Sequence, residues 1–414
     1  MIGSVAKRSM WCLLVAGLLA MSVQAIAATE VIPDKLASLH ALQASAEYEP
    51  SVLAIVEAIR NRDLDLALSR ADKHLKDFPK SRVGYLLRAE VLAALAGDEA
   101  SLGKTSELPS ETSQGLLHQL RNRWQHGHVV NAEEHTKWPA NLLMMGQHQH
   151  ALVADLAKGR LYVYQNIDGQ PKLVRDYYLT MGSQGFGKEV EGDNKTPVGL
   201  YQVIRHIEGK ALPDLYGKGA FPVDYPNKYD RFLGRTGYGI WLHGTPSDTY
   251  ARSPWSSEGC FVLSNDDLLD VAQFISVEQR TPVLLSDQVE WLTAEQLANR
   301  QAAMLAVLAK WEADWESLDT DAFLSHYAEK DFNFGRGNFS QWAARKRQVN
   351  KAKTYVKLSL EVTGLFAYPG VKDMFVVNFI QGYDSSNFSN SSNKQQFWQR
   401  QADGQWRIVY EGKQ

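Results

Sequence analysis

The chain has 414 residues, 44% of them apolar, and a formal net charge of −3. That length exceeds what one hydrophobic core organises, so two or three domains are expected. Two cysteines exclude a small disulfide-stapled scaffold, and a near-neutral charge excludes the basic excess of a nucleic-acid binder.

Lys7 and Arg8 precede an uncharged apolar run from Met10 to about Val23, followed by Ala25, Ile26 and Ala27. This is the layout of a secretory signal, so residues 1–27 are expected to be removed after Ala25 or Ala27, taking Cys12 with them. No other stretch approaches the roughly 20 apolar residues of a membrane helix, so no stable membrane span is expected. Residues 28–140 read as helical. Apolar residues recur three or four apart in Leu53, Val56, Ile59, in Leu64, Leu68, Ala71, Leu75, and in Leu86, Ala89, Leu92, with Pro79 and Gly97 as punctuation. The pair Leu64–Phe78 and Val83–Ala96 has the spacing of a single tetratricopeptide-like hairpin without further copies. A helical cap and a homodimer contact are both open readings of it.

From about His150 the period becomes two, over Ala151–Leu156, Arg160–Tyr164, Tyr177–Thr180, Gly199–Ile204, Ile240–His243 and Pro282–Leu285. A β-rich domain over residues 147–287 is expected. The last unit, 296–414, opens on an amphipathic helix, Ala298–Leu318. The strands Tyr355–Val362, Met374–Tyr383, Lys394–Gln401 and Trp406–Glu411 follow, an α+β order.

Chemistry concentrates in GlyTyrGlyIleTrpLeuHisGlyThrPro, residues 237–246, and in SerSerGluGlyCys, which ends at Cys260. An imidazole and a thiol brought together supply a base and a nucleophile for attack on a carbonyl. Gly259 lets backbone amides approach the developing oxyanion. The competing reading of a lone cysteine is a buried small hydrophobe. His148 and His150 share a strand face, but no third ligand is suggested, so neither metal nor cofactor is expected.

These letters resemble the L,D-transpeptidase (YkuD-like) catalytic domain. Its signature, a histidine followed after a short loop by Ser or Thr, a variable residue, Gly and Cys, maps onto His243, Gly244, Ser257, Gly259 and Cys260. GlyAspAsnLysThrProValGly, residues 192–199, resembles the family's second element. The resemblance implies a Cys260 nucleophile, a His243 base and a Gly244 carbonyl that orients the imidazole. It also implies a periplasmic peptidoglycan stem peptide as substrate, attacked at the L centre of diaminopimelate with release of D-alanine. Ser257, Gly259, Arg252, Tyr225 and Trp241 are the expected substrate contacts. The chain departs from the pattern at Glu258 and in PheValLeuSerAsn after Cys260, which lacks the family's arginine. Arg252, Arg235 and Lys218 are the candidate replacements.

The tail, from Trp311 to GlnTrpArgIleValTyrGlu, resembles an NTF2-like α+β cone. With TyrProAsn at 225–227, the combination is similar to cell-shape L,D-carboxypeptidases. The fold class expected is therefore multidomain α+β, with a helical region, a β-rich catalytic domain and an NTF2-like tail. Asp193 is expected to fix a turn. Aromatic and basic tail residues, Trp342, Tyr355, Tyr383, Phe397, Trp398, Arg345, Lys346 and Arg347, are open as pocket or core. A non-catalytic peptidoglycan-binding scaffold is the alternative function.

Overall fold

The computed structural model describes residues 32–98, 111–127, 137–332 and 339–413. The expected signal segment, with Cys12, lies outside them. Among the described residues, four helices come first: α1 (Ile32–Arg60), α2 (Leu64–Asp77), α3 (Arg82–Leu95) and α4 (Glu111–Gln125). The hairpin α2–α3 is set by its caps, since Asp63 accepts from Leu66 N and Ser81 accepts from Gly84 N. Its buried face, Ala71, Phe78, Val83 and Leu87, packs with Tyr48, Val52 and Ile55 of α1. Part of this helical layer is spent on the same chain's β-rich domain. Arg123 and Arg160 both pair with Glu49 of α1, at 2.7 and 2.9 Å, and Arg160 also pairs with Asp176.

Two short strands, β1 (Trp138–Pro139) and β2 (Leu142–Met144), lead into the central domain. Its strands are β3 (His150–Asp155), β4 (Arg160–Ile167), β5 (Gln170–Tyr178), β6 (Met181–Gly182), β7 (Gly199–Gln202), β8 (Ile207–Glu208) and β9 (Gly219–Pro222). After α5 (Lys228–Phe232) come β10 (Trp241–His243), β11 (Trp255–Ser257), β12 (Phe261–Val262), α6 (Asn265–Ala272) and β13 (Pro282–Ser286). One sheet has the order β5-β4-β3-β13-β7 and a second the order β12-β10-β9-β8. Leu152, Ala154, Leu161 and Leu285 of the first sheet pack with Phe221, Leu242 and Phe261 of the second in one core.

The opposite face of the first sheet is not solvated. Ala151, Val153, Tyr162 and Leu284 meet Phe366, Val376, Phe397 and Val409 of the tail in a second core. Burial on both faces corrects the period-two reading of this segment: β3 is buried on both sides from Ala151 to Asp155, with only His150 part-exposed.

The tail comprises β14 (Trp291–Leu292), α7 (Ala294–Glu316), α8 (Thr320–Leu324), α9 (Phe339–Lys351), β15 (Val356–Ala367), β16 (Met374–Ser385), β17 (Phe388–Arg400) and β18 (Trp406–Lys413). The expected helix starts four residues earlier than its apolar period, because Thr293 and Gln296 form a capping box. The polar run after Phe388, which carries no alternating signal, is strand because it pairs along β16. The tail sheet has the order β18-β17-β16-β15-β2, so its fifth strand comes from residues that precede the central domain. Among the described residues, no helix is long and apolar enough to cross a membrane.

Candidate active site

His243 ends β10, and Cys260 immediately precedes β12. The two strands are parallel neighbours, with Leu242 opposite Phe261 and His243 opposite Val262. Cys260 thus falls level with Trp241, which shares a strand face with His243. The Tyr216 ring bridges that face, 4.9 Å from the Trp241 ring and 5.0 Å from the imidazole. Burial, and then the charges of Cys260 and Glu258, raise the Tyr216 hydroxyl pKa, so Tyr216, His243 and Cys260 belong to one constellation.

The imidazole is buried, and its Nδ1–H donates to the Gly244 carbonyl at 2.7 Å. A carbonyl only accepts, so this bond fixes the tautomer and leaves Nε2 as the basic nitrogen. Burial depresses the His243 pKa to about 4, against the opposing pull of that carbonyl. The Cys260 thiol is pushed up to about 11 by burial, although the Trp241 backbone and the Arg252 charge both favour its thiolate. It donates to the Gly239 carbonyl at 3.4 Å, and no hydrogen bond joins it to the imidazole. With the thiol at about 11 and the imidazole at about 4, each of the two groups rests uncharged at neutral pH.

The turn that presents the thiol is held from inside. The Ser257 hydroxyl is buried, donates to the Cys260 carbonyl at 2.5 Å and accepts from Gly259 N at 3.2 Å. Ser257 is therefore occupied by the turn rather than open to a ligand. The Gly259 amide, expected to face an oxyanion, is occupied in the same way. Gly259 sits at φ 120°, and a Cβ there would lie 2.8 Å from the Lys195 carbonyl. Lys195 belongs to the 192–199 element, so the two sequence motifs meet at this point. Asp193 staples that element, accepting from Lys188 Nζ at 2.7 Å and from the amides of Glu189, Val190 and Lys195. These bonds hold its carboxyl pKa down to about 2 although burial opposes them.

Of the other expected contacts, Trp241 is part-buried on the site face. Arg252 is part-buried, donates to the Ser256 carbonyl, and its charge is felt by both His243 and Cys260. Arg235 is instead paired with buried Asp230 at 2.8 Å, and the Lys218 side chain is exposed. Tyr225 belongs to the core, with its hydroxyl donating to the Thr236 carbonyl at 3.0 Å. Its neighbour Asn227 caps α5 and donates to Tyr368 of the tail at 2.9 Å, so TyrProAsn is a domain weld. His148 is buried and His150 packs on Phe274. Among the described residues, no three His, Cys, Asp or Glu lie together as a metal site.

Tyr216, Lys188 and Asn265 escaped the sequence reading. Asn265 Oδ1 accepts from Lys218 N and its Nδ2 donates to the Thr245 carbonyl, each at 2.8 Å, clamping the Tyr216 loop to the Gly244 loop. Only its place shortly after Cys260 offered a signal.

Residues 149–285 match the L,D-transpeptidase catalytic domain (YkuD), and residues 303–412 match the Cds6 C-terminal NTF2-like domain. The chain carries an L,D-transpeptidase domain and an NTF2-like tail. It is 30% identical over 117 residues to the putative L,D-transpeptidase YafK of Escherichia coli K12, which covers 28% of this chain and 43% of that protein. The chain thus spans under half the length of the curated relatives it matches. Among solved structures, it is similar to Bd1075 of Bdellovibrio bacteriovorus, with TM-score 0.59, 25% identity, and coverage of 67% of this chain and 98% of that one. It is also similar to the helical cell shape determining protein Pgp2 of Campylobacter jejuni, with TM-score 0.55, 26% identity, and coverage of 71% and 100%. The mixed α and β architecture of the L,D-transpeptidase domain and its tail agrees with the fold class expected from the sequence.

Proposed function

We propose that this chain is a periplasmic cysteine enzyme that trims peptidoglycan stem peptides, acting at the L centre of diaminopimelate. The observation that supports this reading is the parallel pair β10–β12, in whose register Cys260 falls level with Trp241, the residue that shares a strand face with His243 and packs near Tyr216.

Nε2 of His243 takes the thiol proton as sulfur attacks the diaminopimelate carbonyl, giving a tetrahedral oxyanion. Collapse re-forms the carbonyl, breaks the amide bond and transfers the imidazolium proton to the leaving amine, so D-alanine departs and a thioester remains. Water, deprotonated by the same nitrogen, then hydrolyses the thioester, returning the proton to sulfur and freeing a tripeptide carboxylate. An acceptor amine in place of water gives a crosslink. A neutral resting pair suits this sequence, because the proton moves only when a carbonyl is in reach. Arg252 is the cation best placed to hold a substrate carboxylate, since its charge reaches both reacting groups. The resemblance of the TyrProAsn segment and the tail to cell-shape L,D-carboxypeptidases favours hydrolysis over crosslinking.

Purified enzyme with tetrapeptide muropeptides is expected to release D-alanine and accumulate tripeptide, and Cys260→Ala is expected to abolish both. Dimers in place of tripeptide would replace trimming by transpeptidation. No release from any muropeptide, together with no carbapenem adduct at Cys260, would leave the scaffold reading in its place.

A further inference from the structure

The loop between His243 and Cys260 is gripped by the helical region along its length. Tyr250 N donates to the Lys80 carbonyl at 3.2 Å, and the Tyr250 ring stacks on Tyr48 at 3.8 Å and meets Phe78 edge-on at 5.3 Å. His118 of α4 sits edge-on to Trp255 at 5.4 Å. Gly115 of the same helix lies so close that a Cβ on it would be 2.8 Å from the Ser253 Cβ.

Between these surfaces runs a cleft of about 850 Å³, within the size range of small-ligand sites. Arg82, Gln114 and His118 form its helical wall, with Asp214, Asp248 and Arg252 opposite. The cleft borders the site through Arg252, which lines it and whose charge is felt by His243 and Cys260, and through Leu215, the chain neighbour of Tyr216. It carries both signs of charge. Arg82 approaches Asp248 only to 3.9 Å, with both side chains largely exposed, so neither is consumed by a tight pair.

We infer that this cleft is a second subsite, built jointly by the helical region and the His243–Cys260 loop, for an amino-acid end bearing both an ammonium and a carboxylate. The inference rests on the proposed function. It takes the cleft as the place where the substrate extends beyond the attacked carbonyl. Two sources supply such an end. One is the D centre of diaminopimelate, joined by a short methylene chain to the centre under attack. The other is free D-alanine after release. Arg82 and Arg252 take the carboxylate and Asp248 the ammonium, so the helical region acts in substrate selection.

The test is calorimetric titration of the full chain carrying Cys260→Ala, with a diaminopimelate tetrapeptide, its lysine analogue and free D-alanine. Arg82→Glu changes an exposed first-turn helix residue and leaves the fold intact. It is expected to weaken the diaminopimelate peptide about tenfold, the loss of one charge-assisted contact, while sparing the lysine analogue, which lacks the carboxylate. Gly115→Leu, which pushes α4 off the loop, is expected to weaken the same peptide. Competition by free D-alanine would assign the cleft to the product, and its absence to diaminopimelate. Unchanged affinity in both variants, with the tetrapeptide still bound, would overturn the subsite alone. Equal weakening of both peptides, without competition by free D-alanine, would do the same. A tetrapeptide that fails to bind the Cys260→Ala parent would overturn the proposed function as well.

Discussion

Alkylation of Cys260 as a function of pH probes the resting state of the site directly. Burial puts the thiol at about 11, so at pH 7 roughly one molecule in ten thousand holds a thiolate. A free cysteine, near 8.5, is ionised to a few per cent at the same pH. The more basic thiolate is intrinsically the better nucleophile, recovering about a factor of ten, so the net rate is on the order of tenfold to a hundredfold below that of free cysteine. The assay is iodoacetamide labelling followed by peptide mass spectrometry, repeated at half-unit steps from pH 5 to 10. The rate is expected to climb about tenfold per pH unit throughout, since only the thiolate reacts. No histidine inflection is expected between pH 5 and 8. His243 is held near 4 by burial, so its ring stays neutral across that window and is protonated only below it. A rate that is already high at pH 5 and flat to pH 8 would show a preformed thiolate–imidazolium pair and refute the reasoning.

Arg252→Gln removes the cation felt by both reacting groups. KM is expected to rise about tenfold if it holds a carboxylate, and labelling at fixed pH to slow as the thiol loses that support. Gly259→Ala forces a Cβ toward the Lys195 carbonyl at an unfavourable φ, and urea denaturation is expected to show a loss of about 1–3 kcal/mol together with lost D-alanine release. Phe366→Ala opens a void in the core shared by the L,D-transpeptidase sheet and the tail, and should cost about 3–5 kcal/mol in the same assay. A loss below about 1 kcal/mol there would mean that the two domains do not share a core.

Much of the site was legible because its constraints are local. Gly259 announces a left-handed turn, the residues after Cys260 pair with those before Gly244, and Asp193 stands where a staple is needed. The helices of residues 64–95 were equally plain, since their caps and apolar spacing lie within one segment. What could not be read arises from distant chain segments meeting. Tyr216 sits in a segment with no periodic pattern, and the pairing of β9 with β10, the Gly244 amide that donates to the Tyr216 carbonyl at 3.1 Å and the Asn265 clamp bring it to His243. Tyr225, the first residue of TyrProAsn, was an expected contact, yet its ring fills the core and it is Asn227 that reaches the tail. Ser257 and Gly259 are needed for the shape of the turn, a demand that leaves the same letters in the sequence as substrate binding.

The contribution of Leu142–Met144 to the tail sheet bears on how deletions of this protein should be read. A chain ended before the tail would leave that short segment without its partner and strip the cover from Val153, Tyr162 and Leu284. A fragment begun after residue 290 would in turn expose the open rim of Val356–Ala367, an invitation to self-association. Loss of function on removal of the tail would therefore report collapse of the L,D-transpeptidase half and not a separate role of the tail, and point substitutions are the sound way to ask what the tail contributes.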